Sequence, residues 1–212
     1  MLAIFDVEGV LVDGEFMPEV AKAMGKEKEV WQITLAGIRG EIKWEDGFLK
    51  RIELLKGAPQ ELCMNVAKSL PIMKGAHELF RFLRKNGFRT IGVSGGPSIL
   101  VDRVKEDLGL DYALSNELVF KNGKLEGALL KVTSNKVESL ENLIQELGMK
   151  GKRISVVDGA NDVKLFEISD LRIAFNAQNY VKERADVSVD KKDLSELIPV
   201  IERWLQKQNN DL

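Results

Sequence analysis

The chain has 212 residues, 44% of them apolar, and its 31 basic side chains nearly cancel 33 acidic ones to leave a formal charge of −2. That composition supports one sizeable core with a small accessory unit and excludes a disordered chain. Balanced charge without a basic block argues against a nucleic-acid or membrane-surface partner, and a single histidine and a single cysteine exclude a multi-histidine zinc site and an intrachain disulfide.

Taken in chain order, Leu2–Phe5 is a short apolar run that reads as a strand and ends in Asp6-Val7-Glu8-Gly9. It is too short and too soon interrupted for a signal peptide or a span, which take longer apolar runs. The stretch 16–70 shows helical patterns and no strand; Trp44, Phe48, Ile52 and Leu55 recur at the spacing of one helix face. After Pro71–Gly75 come a helix at Ala76–Asn86, with His77 on its surface, and a strand at Thr90–Val93 that ends in Ser94-Gly95-Gly96. A helix at Ile99–Leu108 follows. Glu117–Phe120 and Lys124–Gly127 flank Lys121-Asn122-Gly123, whose Asn-Gly pair predicts a hairpin turn. Beyond it lie a helix at Lys136–Leu147 and a strand at Ile154–Val157 that ends in Asp158-Gly159-Ala160-Asn161-Asp162. Strands at Ile173–Phe175 and Val187–Val189, a helix at Asp193–Gln206 and a fraying polar tail, 206–212, complete the chain.

Strands alternating with helices predict an α/β fold, a doubly wound, Rossmann-like parallel sheet, with a helical cap inserted after the first strand. The expected division is a core of residues 1–14 and 72–212 and a cap of residues 15–71. The expected compartment is the cytoplasm, since no membrane run is present and the lone Cys63 reads as a small buried side chain. Cys63 is not a phosphatase nucleophile, because Ser69 stands where the arginine of such a loop belongs.

In a doubly wound sheet, ligands bind beyond the carboxyl ends of the strands. Here those ends carry Asp6 and Glu8, Ser94 and Gly95, and Asp158, Asn161 and Asp162, with Lys136 near the start of a helix. Each piece alone has an ordinary reading: a carboxylate after a strand often caps the next helix, Ser-Gly-Gly is a common loop, and a lone lysine is usually solvated. Together they describe phosphoryl transfer. Four carboxylates in one pocket, plus a phosphate, need a compensating cation, and oxygen ligands alone suit Mg²⁺. Lys136 adds a second positive charge, Ser94 a hydroxyl, and the glycines let backbone N–H groups approach a phosphate.

At these residues the chain resembles the haloacid dehalogenase superfamily, and within it the phosphoserine phosphatase branch. The likeness rests on Asp-x-Glu at 6–8, Ser-Gly-Gly at 94–96, the lysine of Ser134-Asn135-Lys136, and Asp-Gly-Ala-Asn-Asp at 158–162. The resemblance implies that Asp6 attacks phosphorus and also binds Mg²⁺, with the Glu8 carbonyl and Asp158 as further ligands and Asp162 orienting them. It implies Glu8 as proton donor and base, and Ser94, Gly95, Lys136 and Asn161 as phosphate binders. In the cap, Glu15 falls where the branch holds the substrate amine, Arg51 where it holds the carboxylate, and Trp44 where it has an aromatic wall. The chain departs from the pattern at Glu8 (an aspartate in the family), at Gly9-Val10 and at Val157. The expected activity is a Mg²⁺-dependent phosphomonoesterase acting through an aspartyl-phosphate on a small phosphate ester, phosphoserine first, by a monomer or homodimer. Another phosphate ester, phosphotransfer to an alcohol, and a weakly active or non-catalytic binding homologue stay open as alternatives.

Overall fold

A computed structural model describes residues 1–210, with side chains through residue 208. Seven strands form one sheet in the order β4-β3-β2-β1-β5-β6-β7. They are β1 (Leu2–Phe5), β2 (Arg89–Pro97), β3 (Tyr112–Lys121), β4 (Lys124–Leu129), β5 (Arg153–Val157), β6 (Leu171–Phe175) and β7 (Val187–Val189). All neighbouring pairs are parallel except β3 and β4, the antiparallel hairpin at one edge. Asn122 and Gly123 both take positive φ, as the expected hairpin turn requires.

The central strand buries both faces, which is why it reads as an unbroken apolar run. Ala3 and Phe5 pack into one core layer with α5 (Ala76–Lys85), where the Phe5 and Phe80 rings lie 5.1 Å apart. Leu2 and Ile4 pack on the other side against Leu140 and Ile144 of α7 (Lys136–Glu146). The sheet also carries α6 (Ser98–Leu108), α8 (Asn179–Lys182) and α9 (Ile198–Asn210).

Four helices fill the chain between β1 and α5: α1 (Phe16–Ala23), α2 (Glu27–Ile38), α3 (Trp44–Leu55) and α4 (Gln60–Ser69). In α3 the apolar stripe is buried as expected, with Trp44, Phe48, Ile52 and Leu55 inward, and Arg51 shares that face. The chain leaves and rejoins the sheet side by side: Asp13 N–H donates to the Pro71 carbonyl at 3.0 Å and Met73 N–H to the Leu11 carbonyl at 2.8 Å. A second attachment lies at the hairpin tip. Gln60 N–H donates to the Gly123 carbonyl, Gly57 N–H to that of Leu125, and Leu125 N–H to that of Ala58. Among the described residues no helix is long and apolar enough to cross a membrane.

Several boundaries differ from expectation for local reasons. β2 continues through Ser94-Gly95-Gly96 to Pro97 rather than ending at Val93, because its pairing with β3 resumes past a bulge. β3 begins at Tyr112, five residues before the predicted hairpin strand, as a parallel partner of β2. The segment predicted as one helix from Asp193 splits into a 3₁₀ turn at Leu194–Leu197, capped by Asp193 accepting from Ser195 N–H, and α9. The tail expected to fray is helical to Asn210, while residues 211 and 212 lie outside the described residues.

Candidate active site

Register decides which residues meet. Phe5 lies opposite Gly92 of β2 and Val156 of β5, so Asp6, Ser94 and Asp158 leave the sheet at the same edge. The order places β1 where connections diverge, β2 to one side and β5 to the other, and crevices open at such a switch point. The chain after β1 folds tightly, with Leu11 and Val12 N–H both donating to the Val7 carbonyl. Gly9 holds φ +81°, and a Cβ there would lie 2.3 Å from Asp158 Oδ2; glycine is needed on both counts. Between Val93–Leu114 and Pro97–Asn116 pairings, β2 carries two more residues than β3 does, and this bulge swings Ser94 and Gly95 toward Asp6. Ser94 Oγ accepts from Gly96 N–H at 2.9 Å, which leaves its own proton free to donate.

A small cavity is lined by Asp6, Glu8, Glu15, Ile38, Trp44, Ser94, Gly95, Lys136, Asp158 and Asn161. Lys136 Nζ lies 2.8 Å from Asp6 Oδ1 and 2.5 Å from Asp162 Oδ1, all three groups buried. Asn161 Nδ2 donates to Asp162 Oδ2 at 2.8 Å. Glu8 Oε1 accepts from Phe16 N–H at 2.7 Å, so its carboxyl sits against the first turn of α1. Arg51 lies behind Trp44, its guanidinium carbon 4.6 Å from the indole centroid. It is held by Gly47 O (3.2 Å from Nε) and Thr34 Oγ1 (3.1 Å from Nη1), and is 2% exposed. Among the described residues it forms no ion pair, with Glu15 or any other acid. The structure thus gathers nine of the sequence candidates around one cavity, sets Asp162 beside Asp6 and Lys136, and stands Arg51 one layer back.

The charges do not balance. Burial, then the neighbouring Asp6 and Asp162 carboxylates, hold Asp158 well above the usual range, and burial with Asp6 pushes Asp162 up to about 7. Glu15 is driven well up by burial and then by Glu8 and Asp158. Glu8 is raised by burial, partly offset by the Phe16 N–H and Arg51. Burial works against the charge on Lys136, but Asp162 and Asp6 outweigh it and hold the ammonium above its ordinary value. Carboxylate oxygens of Asp6, Asp158 and Asp162 all lie within 4.8 Å of one another. An all-oxygen cluster with surplus negative charge fits a hard divalent cation such as Mg²⁺.

Two residues that sequence reasoning missed help to build the site. Asn116, buried in β3, donates to the Gly95 carbonyl (2.9 Å) and the Val132 carbonyl (3.0 Å) and accepts from the N–H groups of Lys131 and Val132. One amide thereby ties the bulge of β2 to the segment leading into Lys136. Nothing in the sequence signals it, because Asn116 lies outside the predicted strand, which begins at Glu117. Ile38, at the end of α2, lines the cavity with no signal at all, and Gln178 Nε2 donates to its carbonyl at 3.3 Å.

A carboxylate at the tip of a central parallel strand, paired with a buried lysine beside a cation-ready acidic cluster and roofed by inserted helices, is a site built for phosphoryl chemistry on a doubly wound α/β sheet. The chain belongs to the haloacid dehalogenase-like hydrolase family, whose model matches residues 1–167. It is 38% identical over 205 residues to a phosphoserine phosphatase of Methanocaldococcus jannaschii, covering 94% of this chain and 97% of that protein. It is 34% identical to one of Campylobacter jejuni subsp. doylei, covering 94% and 99%. A solved structure of a phospho-aspartyl intermediate analogue of phosphoserine phosphatase superposes with a TM-score of 0.89 at 37% identity over 94% of this chain and 97% of that one. These relatives bear out the expected class, a phosphoric monoester hydrolase.

Proposed function

We propose that the protein is a Mg²⁺-dependent phosphomonoesterase that works through an aspartyl-phosphate on Asp6, with phosphoserine as its leading substrate. The observation that carries this reading is the buried Asp6–Lys136 pair facing Ser94 and Gly95 across one cavity. Lys136 pairs with Asp6 and grips a phosphoryl oxygen, while the Ser94 hydroxyl, the Gly95 N–H and Asn161 hold the others. The Asp6 carboxylate attacks phosphorus and the bond to the ester oxygen breaks. Glu8, whose hold on a proton is strengthened by burial, gives its proton to the departing alkoxide. Glu8 then takes a proton from a water that attacks the aspartyl-phosphate, releasing inorganic phosphate and restoring Asp6. Asp6, Asp158 and the Glu8 carbonyl, with Asp162 orienting them, would hold Mg²⁺, which would supply charge neutralisation on the phosphoryl group.

Residues 15–71 act as the cap in this reading, and two of its charges suit a phosphoamino acid. Glu15 faces the cavity and meets an ammonium. Arg51, buried one layer behind Trp44 and without an ion-pair partner among the described residues, supplies an unpaired positive charge for a carboxylate. The three names reported for relatives support the same substrate. Phosphate release from a panel of phosphomonoesters, with and without EDTA, tests the proposal. Phosphoserine should rank first and EDTA should abolish turnover reversibly. Metal-free turnover by Asp6→Asn at the wild-type rate would overturn it.

A further inference from the structure

We infer that the indole N–H of Trp44 is a hydrogen-bond donor to the phosphoryl group of the bound substrate, so that the cap reads the phosphate itself and not only the rest of the ester. The inference rests on the phosphomonoesterase reading above and adds a specificity-determining contact to it. Trp44 Nε1 is buried and has no hydrogen-bond partner among the described residues, on a residue 6% exposed. Buried indole N–H groups nearly always find an acceptor.

The indole cannot turn to seek one elsewhere. Arg51 covers its face at 4.6 Å, and Arg51 is itself fixed by Thr34 and Gly47. The six-membered edge abuts α2, where a Cβ on Gly37 would lie 3.0 Å from Trp44 Cε3. The N–H edge meets the bulge of β2, where a Cβ on Gly95 would lie only 2.0 Å from Nε1. The absence of a side chain at position 95 is what lets the indole nitrogen reach the loop that presents Ser94 and Gly95. Trp44, Ser94 and Gly95 line one cavity. An oxygen bound by the Gly95 N–H therefore lies beside Trp44 Nε1, and a non-bridging phosphoryl oxygen, anionic and rich in lone pairs, is the acceptor that chemistry offers there. A purely apolar wall would have no use for the nitrogen.

Trp44→Phe keeps the ring and removes the donor. The test compares it with the wild type in kcat/KM for phosphoserine and for a simple aryl phosphate, and in the calorimetric affinity for inorganic phosphate with Mg²⁺ present, with Tm as the control for folding. Loss of one hydrogen bond to a charged acceptor should lower both kcat/KM values and the phosphate affinity by at least about 10-fold, at unchanged Tm. Unchanged values overturn the inference, and so does a loss confined to phosphoserine, which would assign the donor to the amino-acid part. Phosphate affinity decides the matter even if the wild type hydrolyses neither ester, an outcome that would retire the phosphatase reading instead. Should Trp44→Phe fold poorly, the Trp31→Phe/Trp204→Phe protein leaves Trp44 as its lone indole. Its emission should shift on adding inorganic phosphate, and an unmoved spectrum overturns the contact.

Discussion

Lys136 Nζ stands 2.8 Å from Asp6 Oδ1 and 2.5 Å from Asp162 Oδ1, with none of the three groups open to solvent. The ammonium is the only cation in bonding distance of that pair of carboxylates among the described residues. Lys136→Met leaves both acids without a counter-charge, and breaking a buried pair in this way costs about 3–5 kcal/mol. The variant should be inactive and should melt well below the wild type in EDTA. Mg²⁺ should restore part of the lost Tm and none of the activity. Equal melting of the two proteins in EDTA would contradict the balance described for the site.

The raised carboxyls give the metal-free protein an unusual pH response. Asp162 titrates near 7 when folded, against an ordinary aspartate value of 3.8 when unfolded, and Asp158 is also held high. Between those limits the folded state binds more protons than the unfolded one, so stability falls as pH rises from about 4 to about 7. In EDTA the Tm should therefore decline across this window, and Asp162→Asn should flatten the decline. Because a cation needs these acids deprotonated, the Tm gain from Mg²⁺ should be large at pH 8 and small at pH 5.5. A gain independent of pH would show that these acids do not hold the metal.

Much of this was readable beforehand, and the limits are physical. The carboxyl ends of β1 and β5 announced themselves because an apolar run buried on both faces stops abruptly at Asp6 and at Asp158. The stripe of α3 was equally plain, and the spacing that sets Phe48 and Leu55 inward puts Arg51 on the same face. The bulge that carries Ser94 and Gly95 was not legible, since it arises from pairing with β3, a partner remote in sequence. Nor was the work of Asn116, whose four hydrogen bonds reach segments on either side of it in the chain. Long-range register leaves no local periodicity to read.

Glu8→Gln separates chemistry from architecture. The amide oxygen can still accept from Phe16 N–H, as Glu8 Oε1 does at 2.7 Å, so the start of α1 should stay docked. The amide has no proton to give to a leaving oxygen. Turnover of phosphoserine should fall by about 10² to 10⁴ at nearly unchanged Tm and Mg²⁺ affinity. Wild-type turnover by this variant would place the proton donor elsewhere.

Arg51→Ala bears on the substrate. Truncating the partner of a buried charge costs about 2–5 kcal/mol, and the low end corresponds to roughly a 30-fold loss in kcat/KM for phosphoserine. An aryl phosphate has no carboxylate to lose and should suffer only through the missing support of the Trp44 ring, which Arg51 covers at 4.6 Å. The ratio between the two substrates is the quantity to measure. If it does not change, the arginine serves packing and not recognition.

The inserted helices are fastened at two separate places, beside Val12 and Ile72 and again at the hairpin tip, where residues 57–60 bond to residues 123–125. The Asn122-Gly123 turn, far from every reacting atom, thereby limits which helices this sheet can accept. Exchanging residues 15–71 for the counterpart from another enzyme would strand three main-chain hydrogen bonds unless the hairpin travelled with them. For recombination, the interchangeable cassette is two distant pieces of sequence, and a crossover that moved only one would break the fit between roof and floor.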